Sequence, residues 1–227
     1  MNIIKVNKGP SSISLRFLAY MGSLLMLMVV FSDLAEDVWF REVFAWDAPV
    51  MLAIHQLSNP FWDQAMFWIT QTGEVGAILV AIIIAAWFIW HNRNKQALAI
   101  LISLAGGATI NTLLKLFFSR SRPALFPPLV IESGFSFPSG HVTASMAVYG
   151  FLAILLWRSR HRLWAMFALF WIGLIAVSRV YLGVHYPSDV LGAFIFSTLW
   201  LLAVIGLFDR LERRESPRNI STLSIDK

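Results

Sequence analysis

Long apolar runs separated by short polar clusters set the plan of this chain. Six of them come close to the roughly 20 residues that cross a bilayer core as a helix. They lie at about 15–32, 74–90, 97–117, 141–157, 163–183 and 189–208. Flanking Trp and Phe residues complete the shorter ones at the membrane interface. The pattern predicts an all-α, polytopic membrane protein: a single domain over 1–208, built as a bundle of six transmembrane helices, and a polar tail over 209–227. The first run follows Lys5, Lys8 and Arg16, as a signal peptide would. However, "VVFSDLAED" offers no small-residue cleavage site, so it reads as an uncleaved anchor.

The segment 33–73 departs from this alternation. "WFREVFAWDAPVMLAIHQLSNPFWDQAMFWITQTG" mixes Trp, Phe and Met with scattered acids, which predicts one or two helices lying in the interface rather than spanning. Gly106 and Gly107 in the third run suit close helix packing. The tail "RLERRESPRNISTLSIDK" is polar, is expected to be unstructured, and places basic residues against anionic lipid heads.

Composition agrees with the pattern. Of 227 residues, 58% are hydrophobic and 14% charged, with a mean hydropathy of +0.68, too little charge to cover a soluble domain. No cysteine is present, which removes disulfides and thiolate metal sites. The net charge is +5, and its distribution matters more than its size. Most of the 18 Lys and Arg fall in the N-terminus, the 91–96 and 158–162 loops and the tail. The positive-inside rule then puts both termini in the cytoplasm. The segments 33–73, 118–140 and 184–188 face outward from the cytoplasmic (inner) membrane, into the periplasm in a Gram-negative cell.

Arg41, Lys115, Arg120, Arg122 and Arg179 are left on the outer side. Arg41 and Arg120 are expected to snorkel to lipid phosphates or to pair with an acid. Lys115 and Arg122 are seven residues apart, which puts them near one helical face, before Pro123 breaks the helix. Arg179 lies at the outer end of the fifth span. Ionisable residues at membrane depth mark functional sites, and three cations together call for a shared anion. Two polar clusters lie at the same depth. In "PSGH" (Pro138 to His141), Ser139 fits a helix N-cap, and the free amides behind it form an anion site. In "HYPSD" (His185 to Asp189), Pro187 suits a helix start. There Asp189 can hold one nitrogen of His185 and leave the other free to attack.

Together "K-x6-RP" (Lys115, Arg122, Pro123), "PSGH" and "SR-x5-H-x3-D" (Ser178, Arg179, His185, Asp189) resemble the three-part signature of the type 2 phosphatidic acid phosphatase and vanadium haloperoxidase superfamily. The six-span plan resembles its membrane branch. The resemblance implies His185 as nucleophile, Asp189 as its orienter, and His141 as the acid that protonates the leaving oxygen and then activates water. It also implies that Lys115, Arg122, Arg179, Ser139 and Gly140 hold the phosphoryl oxygens. Phosphoryl transfer depends on positioning and charge stabilisation. Three cations and a helix start can supply both, and a single acid in the motifs is too little for a magnesium cage. No metal and no cofactor is therefore expected.

A helix N-terminus disfavours a charged imidazole, so bound phosphate is expected to restore the proton of His141. Glu132 lies in the loop "PPLVIESGFSFPSGH", where it can position water or a head group. Glu74 and Asp63 can serve as secondary-site residues, but capping and solvation suffice to explain them; His55, His91 and His161 are assigned to the interface. The expected activity is hydrolysis of a lipid phosphate at the outer face, with undecaprenyl diphosphate the favoured substrate by family analogy. Phosphatidylglycerophosphate or phosphatidic acid are alternatives, as is transfer of the phosphate to another lipid. A transporter or anion binder would not need His141, His185 and Asp189, and haloperoxidase chemistry suits a membrane setting least. The expected partners are a lipid phosphate and the membrane, with no nucleic acid.

Overall fold

A computed structural model describes residues 15–42 and 44–215, with side chains for 18–42 and 44–212. The basic stretch ahead of residue 15 and the tail beyond Glu215 lie outside the described residues. Among the described residues eight helices follow one another: α1 (Leu15–Trp39), α2 (Asp47–His55), α3 (Pro60–Gln71), α4 (Val75–Trp90), α5 (Asn94–Phe118), α6 (Gly140–Arg158), α7 (Arg162–Tyr181) and α8 (Pro187–Glu215). Among the described residues, six stretches are long and apolar enough to cross a membrane, α3 and α4 counting together as Pro60–Trp90. The all-α expectation stands.

Two boundaries differ from the sequence reading. α1 does not stop near residue 32. Leu34 and Val38, four apart, carry its apolar stripe onward and pack against Phe118 and Phe137, while Asp33 and Glu36 point to the exposed side. The acids of "SDLAED" ended the apolar run without ending the helix. α8 likewise continues past residue 208 to Glu215, so the first residues of the expected unstructured tail are helical. Asp209 there accepts two hydrogen bonds from Arg158, at 2.7 and 2.8 Å.

The segment read from the sequence as interfacial, 33–73, holds the end of α1, α2 and α3, and α3 runs on into the second crossing stretch. α2 packs on α7 and α8, α3 on α7. Only Thr72, Gly73 and Glu74 separate α3 from α4, and a Cβ at Gly73 would lie 2.6 Å from Ile175 Cγ2. The largest packed cluster of the bundle is apolar. Ala77, Ala81 and Ala85 form a stripe of small residues on α4 that meets Ile100 of α5, Phe151 of α6 and Leu201 of α8. Gly106 has the packing role expected of it, since a Cβ there would come within 2.2 Å of the Trp200 ring. Ile78, Ile82 and Ile83 on the opposite side of α4 are exposed, as is Leu163 on α7. Such a surface is costly in water and ordinary in lipid, where apolar side chains meet apolar tails.

Candidate active site

The polar residues of the bundle gather at one end. The last turn of α5, the loop 119–139, the start of α6, the last turn of α7 and the start of α8 meet there around a cavity of ~600 Å³. Lys115, Arg122, Glu132, Gly140, His141 and His185 line its polar part, with Ile78, Leu101, Leu104, Ala105 and Ala108 along the rest. One cavity thus joins a cationic head to an apolar wall on α4 and α5.

Lys115 and Arg122 meet for a different reason than their spacing suggested. α5 ends at Phe118, and Ser119 turns left-handed (φ 47°), so Arg122 is not on the helix. The loop brings it back instead. Its Nε and Nη2 donate to the carbonyls of Gly134 (3.1 Å) and Ser133 (2.9 Å), and its Nη1 to that of Val184 (2.9 Å). Lys115 Nζ donates to the Phe135 carbonyl at 2.5 Å. Arg179 is almost fully buried and does not line the cavity. It donates to Thr70 Oγ1 of α3 at 2.7 Å and to Glu132 Oε1. Glu132 Oε2 lies 3.5 Å from Arg122 Nη2, so one carboxylate bridges two of the three cations expected to hold the phosphate. Burial pushes the Glu132 carboxyl up, but Arg179 and then Arg122 outweigh it and hold it below the usual range.

His185 sits between Asp189 and Arg122. Its Nδ1 is 3.5 Å from Asp189 Oδ2, and its Nε2 is 3.3 Å from Arg122 Nη1. Burial pushes its pKa down to about 4 against the pull of Asp189, with Arg179 and Lys115 acting in the same direction as burial. The imidazole is therefore neutral near pH 7, as a nucleophile requires. Asp189 stands in the first turn of α8, where Pro187 begins the helix as expected. Its Oδ2 accepts the Tyr186 N–H (2.9 Å) and its Oδ1 accepts from Arg120 (2.6 Å).

"PSGH" opens α6, but Ser139 does not cap it. Its Oγ is buried without a hydrogen-bond partner. Asn111 of α5 fixes this turn instead, donating to the Pro138 carbonyl at 3.2 Å and to Thr143 Oγ1 at 3.0 Å. His141 Nε2 is 3.2 Å from Glu74 Oε2. Glu74 makes no side-chain cap for α4, so the capping reading fails and the acid faces the imidazole. Asp63 accepts from Tyr181 (2.6 Å) and Ser58 (2.9 Å), His55 stacks on Phe126, and Arg41 donates to the Ser119 carbonyl rather than to an acid.

The structure thus brings Lys115, Arg122, Gly140, His141 and His185 to one cavity, with Asp189 and Arg179 one contact behind it. Arg120, Asp47, Glu74 and Thr70 join this neighbourhood without any motif pointing to them. Glu74, an isolated acid between two apolar helices, was the one with a visible signal.

The profile of the PAP2 superfamily matches residues 96–213. Phosphatidylglycerophosphatase B of Bacillus subtilis is 32% identical over 194 residues, covering 82% of this chain and 95% of that protein. Undecaprenyl-diphosphatase BcrC of the same organism is 31% identical over 157 residues, covering 66% and 78%. The crystal structure of the transmembrane PAP2-type phosphatidylglycerolphosphate phosphatase from Bacillus subtilis superposes with a TM-score of 0.77 at 31% identity, over 84% of this chain and 98% of that one. A family match over more than half of the chain, a relative covered over nearly its whole length and a solved membrane structure with the same fold agree: the chain belongs to the PAP2 superfamily, among its membrane lipid phosphatases.

Proposed function

We propose that the protein hydrolyses the terminal phosphate of a membrane lipid through a phosphohistidine, without a metal. The observation that carries this reading is the single cavity that joins Lys115, Arg122, His141 and His185 to an apolar wall on α4 and α5. The phosphate sits among the cations while the tail stays against that wall. His185 Nε2 attacks phosphorus, and the bond to the lipid oxygen breaks as His141 gives that oxygen its proton. Asp189 holds the Nδ1 proton and offsets the charge that grows on the ring. Lys115, Arg122, the Gly140 amide and the free Ser139 hydroxyl take the phosphoryl oxygens. Arg179 contributes once Glu132 yields to the incoming anion. In the second step His141 takes a proton from water, the oxygen bonds to phosphorus, the P–N bond breaks and phosphate leaves. The negative phosphate favours the proton on His141; an NMR titration without change on adding a phosphate analogue would count against this step.

For the substrate, phosphatidylglycerophosphate moves to first place, because the relative acting on it is matched over nearly its whole length. Undecaprenyl diphosphate is the second reading, favoured by the outward-facing site that the positive-inside distribution supports and by the relative acting on that lipid. Purified protein is to be offered both lipids and phosphatidic acid, with His185→Ala as control. Equal phosphate release by wild type and control would defeat the mechanism, and activity confined to soluble phosphates would defeat the lipid reading. Vanadate is expected to inhibit and EDTA to have no effect. The absence of cysteine makes orientation easy to test. Ile131→Cys in the active-end loop reacts with an impermeant maleimide added outside, and Asn92→Cys does not.

A further inference from the structure

Behind Asp189 lies a buried charge network that no motif contains. α2 sets Asp47 over the first turn of α8. Its Oδ1 accepts the Ser188 N–H at 2.9 Å, and its Oδ2 accepts the Ser188 hydroxyl at 2.5 Å and Arg120 Nη2 at 3.1 Å. Arg120 Nη1 donates to Ser188 Oγ at 2.7 Å and to Asp189 Oδ1 at 2.6 Å. The guanidinium rests on the Tyr186 ring, 4.3 Å from its centroid. Asp47 and Asp189 are both almost completely buried.

Such a network is a poor way to gain stability. Burying two carboxylates and a guanidinium costs desolvation that an apolar replacement would avoid. What it does fix is direction. Arg120 takes one oxygen of Asp189, the Tyr186 amide takes the other, and that second oxygen is left 3.5 Å from His185 Nδ1, a buried nitrogen with no hydrogen-bond partner of its own and so poised for it. A proton held at Nδ1 leaves the Nε2 lone pair for attack.

We infer that Arg120 and Asp47 are positioning residues for the hydrolysis: Asp47 anchors Arg120, Arg120 holds Asp189, and Asp189 holds the attacking tautomer of His185. This rests on the phosphatase reading given above. The other charged groups around His185 are Arg122 at its Nε2 and, farther off, Lys115, Arg179, Glu132 and His141. None of them has a hydrogen bond or ion pair to Arg120 or Asp47, so a shift in the behaviour of His185 in those variants reports on this network.

The test uses the full chain, phosphatidic acid micelles and the variants Arg120→Gln, Arg120→Lys and Asp47→Asn. With only five histidines in the chain, 15N-histidine spectra report the tautomer directly. Arg120→Gln is expected to lower kcat by about 100-fold with KM within about threefold, the usual scale for removing a supporting group. Losing the cation leaves the negative charge of Asp189 less offset and favours the imidazolium, so the acid limb of kcat/KM rises by about one pH unit. The Nδ1–H tautomer of the wild type gives way to a mixture. Arg120→Lys, which keeps the charge, returns the limb and about tenfold of the rate. Asp47→Asn removes an anion, costs about tenfold in kcat and does not raise the limb.

Arg120→Gln with kcat within threefold of wild type overturns the inference. So does a fall in kcat with limb and tautomer unchanged, which is a purely structural loss, or a rise in KM alone, which is substrate contact. Should Arg120→Gln not fold, Arg120→Lys and Asp47→Asn carry the same comparison. Should His185→Ala release phosphate like wild type, the phosphatase reading fails instead, and the substrate-free spectra still decide the role of Arg120.

Discussion

Arg120 and Arg122 are two residues apart and belong to clusters with opposite charge balance. Around Arg120, two carboxylates share one guanidinium, and both are hydrogen-bonded and sealed from the cavity. Around Arg122, Lys115 and Arg179 add two more cations, and Glu132 is the acid in contact with two of the three. The first cluster satisfies itself and has nothing left to bind. The second carries surplus positive charge, with two of its cations on a cavity wall, and is stable there only with an anion to share. Motif spacing does not distinguish them; charge balance does.

The sharpest way to break this contrast is at its junction. His185→Ala, and Asp189→Asn at the orienter, are each expected to lower phosphate release by about 10³–10⁴-fold; either variant retaining a tenth of wild-type rate would remove the junction from the chemistry. Next comes the cation-rich side. Arg122→Gln is expected to cost about 10²–10³-fold in kcat/KM, the scale of losing a preorganised donor, in contrast to the kcat effect expected at Arg120. Equal KM effects at the two arginines would erase the distinction between the clusters.

The third effect is on pH. On the proposed mechanism His185 must be neutral to attack, and burial holds its pKa near 4 against Asp189. Activity is then present above that value and lost as pH falls through it, so the acid limb of kcat/KM lies well below the ordinary histidine value of 6.5. A limb at 6.5 or above would contradict the burial argument. The same depressed pKa makes folding less favourable as pH falls from 6.5 towards 4, because the unfolded chain takes up a proton that the native state does not.

A smaller effect is expected at Glu132. If the phosphate takes Arg122 and Arg179 from its carboxylate, as proposed, Glu132→Gln should tighten inhibition by vanadate about threefold to tenfold. Weaker inhibition would make Glu132 a support for the arginines instead of their competitor. The least effect on chemistry belongs to the helix packing around Gly106. Gly106→Val drives a side chain into Trp200 and should cost about 1–3 kcal/mol of stability, read as a lower Tm, with kcat of the folded protein within about twofold of wild type. A large loss of kcat in folded protein would tie that packing to the site.

Much of this was legible in the chain. Apolar runs about as long as a bilayer is thick can be little else than membrane helices, so the all-α bundle followed from length and hydropathy. Lys115, Arg122, His141, His185 and Asp189 were legible because each lies in a short motif at a helix end, where sequence distance and spatial distance stay close. The errors share one cause. Polar residues were read by their immediate neighbours: the acids of "SDLAED" as a helix stop, Ser139 as a cap, Glu74 as a cap, Lys115 and Arg122 as one helical face. In each case contacts from elsewhere in the chain settled the role. The tail, read as unstructured from residue 209, continues α8 to Glu215 on the same account.

By itself the sequence determined a helical membrane protein with a cationic, two-histidine site at one end, since hydropathy and motif spacing are local properties of the chain. Only the tertiary structure decided how the charges pair. Arg120 meets Asp47 across 73 residues, Arg179 meets Glu132 across 47, and His141 meets Glu74 through the packing of α6 on α4. No local rule links such partners. A buried charge takes whichever counter-charge the packed helices bring within reach, because leaving it unpaired costs more than any local preference can offset.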